Sequence, residues 1–210
     1  MKIAIIGATG GIGQKVVEQA LEKGHQVIAI SRKAPDLALT HERLEKRAAD
    51  VLDKESIKKG IEGAEAIVSS IGTSVISEPT MLCSDGTRNI IDAMHSSGTK
   101  RLIAVGASGY VDHPRQTFLV NFLQKYIVQK ILRNIFDDLK RMESIINNSG
   151  LDWTVVRPPR LTGGKHTGRY RVQPELVRGG LSISRSDVAD FIIGHLTDTT
   201  IFQKAIAIAY

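Results

Sequence analysis

Short apolar runs alternate along this chain with longer segments in which apolar residues recur every three or four positions. The runs are typical of buried strands, and the longer segments of helices that pack one face against a sheet. We predict strands at 2–6, 26–31, 44–49 (the weakest), 64–71, 101–107, 151–157, 168–172 and 204–208. We predict helices at 12–23, from Asp53 toward Gly60, at 79–97 and at 187–196, and a long helical region at about 115–148.

This alternation predicts an α/β fold, a Rossmann-type doubly wound and mostly parallel sheet with helices on both faces. The 210 residues suit one domain, and no linker or repeat divides them. We therefore predict a single domain over 1–210. In it, residues from about 158 to 210 form a small extension that completes the substrate side.

Composition removes several classes of protein. Hydrophobic residues make up 42% of the chain and charged residues 24%, which argues against disorder. Cys83 is the single cysteine, so an internal disulfide and a multi-cysteine metal site are excluded. The six histidines show no close ligand spacing, and no metal site is expected.

The net charge of +6 comes from scattered basic residues and does not indicate nucleic-acid binding by itself. No segment approaches the ~20 apolar residues of a membrane span, and the first apolar run stops at Gly7. We expect a cytoplasmic protein, a monomer or homodimer, that has a small-molecule partner and binds neither nucleic acid nor membrane.

A glycine-rich turn, GATGGIG, joins the first strand to the first helix. Gly7 permits a tight turn, Gly10 permits close approach of a pyrophosphate, and Gly13 permits close packing of helix and strand. The free N–H groups of the helix start favour phosphate. The predicted cofactor-binding residues of this turn are Gly7, Thr9, Gly10, Gly11, Ile12 and Gly13. The alternative is a purely structural turn.

The second strand ends in Ser31-Arg32-Lys33, where NAD-dependent proteins carry an acidic residue for the ribose hydroxyls. The Arg32 guanidinium suits a 2′-phosphate, and Lys33 adds charge. These residues favour NADP (NADPH) over NAD. The alternative is that both are solvated loop cations.

Further segments extend the pattern over nearly the whole chain. They are Asp50-Val51, Ile71-Gly72-Thr73, 86–90 (GTRNI), Ala107-Ser108, 149–159 (SGLDWTVVRPP) and 183–189 (ISRSDVA). Together with the glycine turn they resemble the atypical short-chain dehydrogenases/reductases. The likeness is strongest to the small NAD(P)H-binding members related to biliverdin-IXβ reductase (flavin reductase) and to the NmrA-like proteins.

The resemblance implies roles for these residues. Asp50 and Val51 would contact the adenine, and Ser108 would lie beside the nicotinamide. Asp50 has the alternative of capping a turn, and Ser108 that of satisfying local backbone. The other residues implied to line the cofactor are Ile71, Gly72, Thr73, Pro159, Arg160 and Leu161.

Many short-chain dehydrogenases use a Tyr-x-x-x-Lys pair on a helix, whose Tyr donates a proton to a carbonyl oxygen. Tyr126 and Lys130 match this spacing, but they lie in a segment with a broad apolar face, where a Tyr commonly packs. A second register, Phe136 with Lys140, resembles the family segment better. In that register Phe136 replaces the catalytic Tyr.

A chain without this proton donor is suited to hydride transfer onto a conjugated acceptor, which needs mainly proximity and orientation. We therefore predict an NADPH-dependent reductase of a flavin, quinone or tetrapyrrole-like acceptor, with Ser108 and Lys140 as its catalytic residues. The alternative is a non-catalytic NADP(H)-binding redox sensor of the NmrA type.

Overall fold

The computed structural model describes residues 1–73, 75, 77–111 and 131–210. Its main sheet has eight strands in the order β3-β2-β1-β4-β5-β6-β10-β8, and β7 and β9 form a second, two-stranded sheet. The strands are β1 (Lys2–Ile6), β2 (Gln26–Ser31), β3 (Leu44–Ala48), β4 (Ala66–Ser69), β5 (Arg101–Val105), β6 (Asp152–Arg157), β7 (Arg160–Thr162), β8 (Arg171–Gln173), β9 (Ser182–Ser184) and β10 (Lys204–Ala209). All neighbours in the main sheet are parallel except β10 and β8.

The helices cover both faces of the main sheet. They are α1 (Gly11–Glu22), α2 (Lys54–Gly60), α3 (Leu82–Ser97), α4 (Arg133–Asn147) and α5 (Arg185–Gly194). Helices α2, α3 and α4 share one apolar core with β1 side chains such as Ile6. Helices α1 and α5 share the other core with Ile5, the adjacent residue of the same strand. Because successive side chains of a strand point to opposite faces, one aliphatic run serves both cores.

These observations confirm the predicted α/β, Rossmann-type fold class. The chain moves outward from β1 to β2 and β3, then returns to the other side of β1 for β4. Ligands of such sheets bind at the carboxyl ends of the strands where the order reverses. The functional site is therefore expected at the ends of β1 and β4.

Some predicted boundaries were wrong. The strand predicted at 168–172 is Arg171–Gln173, and the helix predicted at 187–196 is Arg185–Gly194. The strands predicted to continue to 71 and 107 end at Ser69 and Val105. Strands β7 and β9 were not predicted. Of the long helical region, the residues from Arg133 to Asn147 are helical, and 112–130 lie outside the described residues.

Helix α3 begins at Leu82 and not at residue 79, because a residue from another helix caps it. The carboxylate of Asp138 in α4 accepts hydrogen bonds from Cys83 N at 2.8 Å, Ser84 N at 3.1 Å and Ser84 Oγ at 2.5 Å. Asp138 is fully buried, so these bonds satisfy a charge that would otherwise be costly. The α3 start is thus set by tertiary contact.

Among the described residues, none of the helices combines the length and the hydropathy that crossing a bilayer requires. Across the same ranges, no three His, Cys, Asp or Glu side chains are grouped closely enough to hold a metal ion.

Candidate functional site

The glycine turn after β1 has a shape that side chains would destroy. Gly7 has a φ of +82°, and a Cβ there would lie 2.8 Å from the carbonyl oxygen of Ser70. A Cβ on Gly13 would lie 2.2 Å from the carbonyl oxygen of Gly7. Backbone N–H groups of Gly7 and Ala8 donate to Ile30 O at 2.9 and 3.1 Å, which ties the turn to the end of β2. The turn therefore lies at the carboxyl end of β1, where the strand order of the sheet reverses.

The start of α1 has neither a side-chain cap nor an acidic residue to offset its partial positive charge. Gly10 is its N-cap and offers no side-chain cap, and its first turn holds no acidic residue. Asp53 and Ser184, by contrast, cap α2 and α5 with their side chains. An uncapped helix start carries free N–H groups and a partial positive charge, which is what a phosphate group binds. The turn fits the pyrophosphate of a dinucleotide.

A cleft of about 630 Å³ runs from this turn along the ends of β2, β3 and β4. Its lining contains nine of the predicted cofactor-binding residues, namely Gly7, Thr9, Gly10, Arg32, Lys33, Asp50, Val51, Ile71 and Gly72. It also contains residues that the sequence did not suggest, namely Ile6, Ser31, Ala49, Leu52, Ser70 and Leu82. Residues far apart in sequence thus meet at one edge of the sheet.

Arg32 and Lys33 form the basic end of this cleft. Lys33 N donates to Ser31 Oγ at 3.2 Å, which turns the backbone at the end of β2. Within the described ranges, no carboxylate pairs with either side chain. Two unpaired cations at this place fit a 2′-phosphate.

Asp50 and Val51 are held by local contacts as well as lining the cleft. Asp50 Oδ1 accepts from Leu52 N at 3.0 Å, so the turn-capping interpretation of Asp50 describes a contact that exists. Asn89 of α3 donates its side-chain amide to Val51 O at 3.0 Å. A Cβ on Gly86 would lie 2.7 Å from Val51 Cγ2, so α3 approaches Val51 through a glycine.

The remaining predicted residues lie around this cleft or beyond it. Ile12 and Gly13 are buried under the turn, and Gly11 is exposed at the start of α1. Thr73 Oγ1 accepts from Val75 N at 3.0 Å, in the loop after β4. Their roles stay predictions.

Ser108 and Pro159 lie together at the ends of β5 and β6, where they face Val177 and Gly180 of the extension. Ser108 N donates to Pro158 O at 3.0 Å. Arg160 is exposed at the start of β7, and Leu161 packs against the core shared by α1 and α5. The extension thus covers the sheet edge where a nicotinamide is expected.

Tyr110 was not considered from sequence. It is buried, its hydroxyl donates to Glu143 of α4, and Glu143 also pairs with Arg157 through Arg157 Nε at 2.9 Å. Burial and the Glu143 charge raise the pKa of Tyr110, so its hydroxyl stays protonated. Tyr110 therefore acts here as a link between the loop after β5, helix α4 and the end of β6.

Phe136 and Lys140 lie beside the same loop. The Phe136 ring meets the Tyr110 ring edge-on at 5.6 Å between centroids, and a Cβ on Gly109 would lie 2.7 Å from Phe136 Cζ. Lys140 is exposed, with Nζ 6.0 Å from the centroid of the Tyr110 ring. Phe136 therefore lies close to Ser108, because it contacts the next residue of the loop, Gly109. The alternative pair, Tyr126 and Lys130, lies outside the described residues.

Cys83 is buried near Ile71, whose carbonyl oxygen lies 3.9 Å from Sγ. Burial and the nearby Asp138 carboxylate raise the pKa of the thiol to about 12. Since the thiolate is the reactive form, Cys83 is an inert packing residue.

A sheet of this order, with an open glycine turn after its first strand, defines a Rossmann-fold dinucleotide-binding protein. A family model described as NAD(P)H-binding matches residues 7–199, and the chain belongs to this family. The predicted NAD(P)H-binding family is thereby confirmed.

Relatives and solved structures agree with this assignment. The chain is 30% identical over 215 residues to the "uncharacterized sugar epimerase YhfK" of Bacillus subtilis (strain 168), covering 98% of this chain and 92% of that protein. A short-chain dehydrogenase/reductase of Veillonella parvula DSM 2008 in complex with NADP has a TM-score of 0.81 at 19% identity, covering 100% of this chain and 94% of that one. ChuY, an anaerobillin reductase from Escherichia coli O157:H7, has a TM-score of 0.78 at 22% identity, with 100% and 97% covered. These two structures show the shared fold.

Proposed function

We propose that this protein is an NADPH-dependent reductase that transfers hydride to a flat, conjugated acceptor such as a flavin, a quinone or a linear tetrapyrrole. The observation that carries the cofactor choice is the pair of unpaired cations, Arg32 and Lys33, in the lining of the cleft. A guanidinium binds phosphate through parallel N–H groups, and an adjacent ammonium adds charge. The site offers no acidic side chain at this place to bind a ribose 2′-hydroxyl.

The choice of acceptor rests on the loop after β5. When bound, the nicotinamide supplies a hydride. In the register that resembles the family segment, Phe136 takes the place of the catalytic tyrosine and lies against this loop, and Phe has no hydroxyl proton to donate. Tyr110 also fails as a donor, because its hydroxyl is already bonded to Glu143. An acceptor that takes its proton from water matches such a site.

In this proposal the chain contributes binding and orientation. The glycine turn holds the pyrophosphate, Arg32 and Lys33 hold the 2′-phosphate, and Ser108 and Lys140 orient the carboxamide or the acceptor. Ser108 is buried beside Pro159 at the end of β5, and Lys140 is exposed beside the Tyr110 ring.

ChuY is named as a reductase, and this name supports the proposal by analogy of fold. YhfK is named as a sugar epimerase, a redox-neutral activity that leaves the amount of reduced cofactor unchanged. Net consumption of NADPH therefore separates the two activities.

The cofactor is tested by fluorescence titration of NADPH and NADH. Arg32→Ala should weaken NADPH binding about tenfold, because it removes a charge-assisted phosphate contact, and should leave NADH nearly unchanged. Lys23→Ala is the matched control, since this exposed cation follows the far end of α1. Equal losses of NADPH and NADH binding in Arg32→Ala would contradict the NADPH assignment.

Turnover is tested by the loss of NADPH absorbance with FMN, a soluble quinone and biliverdin as acceptors. We expect oxidation with at least one of them. If NADPH binds but none of the acceptors oxidises it, the reductase proposal is wrong, and the non-catalytic redox sensor is the function that fits. A sensor must also bind NADP⁺ and NADPH with different affinities, because a ligand shifts only states that it distinguishes.

A further inference from the structure

Arg185, the first residue of α5, lies against Gly11, the first residue of α1. A Cβ built on Gly11 would lie 2.7 Å from Arg185 Cδ, 2.8 Å from Nε and 3.7 Å from Cζ. The guanidinium is therefore held against the start of α1. Gly11 leaves room for it because it has no side chain.

The position of the Arg185 guanidinium is unfavourable for a cation without an anionic partner. Arg185 is the first residue of one helix and lies on the first residue of another, and both helix starts carry partial positive charge. In the part of the chain that the structure describes, its guanidinium has neither a carboxylate partner nor a hydrogen-bond acceptor. An anion at this point would relieve the repulsion.

The nearest acidic residue along the chain, Asp187, is already committed. Its carboxylate accepts from Thr167 N, Thr167 Oγ1, Gly168 N, Ser184 Oγ and Tyr210 OH at 2.5 to 3.0 Å. It is fully buried, and five donors leave it no free capacity for a guanidinium. Asp187 therefore fixes the start of α5 without neutralising Arg185.

The backbone that carries Arg185 is fixed to α1 as well. Gln19 of α1 donates its side-chain amide to Ser186 O at 2.8 Å. Ser184 Oγ accepts from Asp187 N at 3.0 Å as the N-cap of α5. Arg185 thus stands on a rigid support beside the turn.

We propose that Arg185 is a further cofactor-binding residue, which contacts the pyrophosphate of the dinucleotide over the start of α1. The proposal rests on the proposed dinucleotide binding, and it adds a contact from the substrate-side extension. A guanidinium bonds to two phosphate oxygens at once, and the uncapped N–H groups of α1 bind the same group from the opposite side.

The test measures binding and not activity. Arg185→Gln should weaken NADPH and NADH equally, about tenfold each, because both carry the pyrophosphate. Displacement of NADPH by adenosine 2′-monophosphate, which has no pyrophosphate, should give the same affinity for this nucleotide as in the wild type. Arg32→Ala should show the reverse pattern, a loss for NADPH and for adenosine 2′-monophosphate only. The matched control is Arg169→Gln, an exposed arginine of the same extension.

Two more variants keep the result interpretable. Arg185→Lys preserves the charge and should lose less affinity than Arg185→Gln. Gly11→Ala leaves Arg185 in the chain but displaces it from the turn, and should weaken both dinucleotides even if Arg185→Gln folds poorly. Thermal unfolding of each variant identifies a general loss of structure.

The outcomes separate the two proposals. If the wild type binds neither dinucleotide, both the proposed function and the proposed Arg185 contact are wrong. A wild type that binds both, with Arg185→Gln binding them unchanged, removes this contact alone. A loss confined to NADPH in Arg185→Gln would place the guanidinium at the 2′-phosphate and would also overturn the assignment to the pyrophosphate.

Discussion

The glycine turn and the substrate-side extension hold their shapes by opposite means. The turn depends on missing atoms, since a Cβ on Gly13 would lie 2.2 Å from a carbonyl oxygen. The extension depends on polar atoms that are present, since one buried carboxylate, Asp187, accepts bonds from Thr167, Gly168, Ser184 and Tyr210. We expect the glycine turn to lose its shape when an atom is added, and the extension to lose stability when the Asp187 charge is removed.

The largest effect is expected from Gly13→Ala, which adds one carbon to the turn. The new Cβ has no room against Gly7 O, so the start of α1 must move away from β1. We expect dinucleotide affinity to fall about 100-fold or more, measured by fluorescence titration.

The control is Gly194→Ala, at the end of α5, where no atom lies within 4 Å of the added carbon. There alanine should leave binding unchanged and should stabilise the protein by up to about 1 kcal/mol. Normal affinity in Gly13→Ala would show that the turn does not depend on the absence of this side chain.

A smaller effect, on stability, is expected from Asp187→Asn, which removes the buried negative charge of the extension. Its donors would face a neutral amide, and we expect the free energy of unfolding to fall by about 3 kcal/mol in urea titrations. Asp190→Asn is the control, because Asp190 bonds to Tyr170 OH and His166 and is less deeply buried. If the two variants lost the same stability, Asp187 would not be the organising residue.

The same carboxylate predicts a pH dependence. Burial alone would raise the pKa of Asp187, but hydrogen bonds from Tyr210, Thr167 and Gly168 outweigh burial and lower the pKa from 3.8 to about 2. A lowered pKa in the folded state stabilises the protein above the unfolded value, and this stability is lost as the pH falls toward the folded value. The stability difference between wild type and Asp187→Asn should shrink by roughly 2 kcal/mol from about pH 5 to pH 2. A constant difference over this window would contradict the lowered pKa.

The smallest effect is expected from Tyr110→Phe, which lies between the two regions. It removes one hydrogen bond to Glu143, and Glu143 keeps its ion pair with Arg157. We expect a loss of about 1 kcal/mol in the free energy of unfolding and less than about a twofold change in dinucleotide affinity. Tyr170→Phe removes a comparable bond to Asp190 and should cost a similar amount. A large loss of affinity in Tyr110→Phe would give Tyr110 a direct role at the cofactor.

The same contrast explains what the sequence could predict. The turn follows from local rules, because the spacing of Gly7, Gly10 and Gly13 between a strand and a helix reports the backbone directly. The order of aliphatic runs likewise predicted the parallel sheet. Of the nine predicted residues that line the cleft, five came from the glycine turn and the end of β2, and the family resemblance supplied Asp50, Val51, Ile71 and Gly72.

The features that the sequence did not predict depend on contacts between distant parts of the chain. Strands β7 and β9 have three residues each, too few to show a period of two. The start of α3 is set by Asp138 of another helix, and Arg185 meets Gly11 across most of the chain. Glu143 and Tyr110 are 33 positions apart, and nothing in the local sequence pattern indicated the hydrogen bond between them.

The Asp138 cap has a consequence for the direction in which a ligand lies. Leu82 at the start of α3 lines the same cleft as the glycine turn, so two helix ends border it. Asp138 neutralises the α3 end from within the protein, while the α1 end stays open. An elongated anion in the cleft therefore meets an asymmetric field, with attraction at α1 and none at α3. The asymmetry gives the cleft an electrostatic polarity, which favours one orientation of an elongated anion over the reverse.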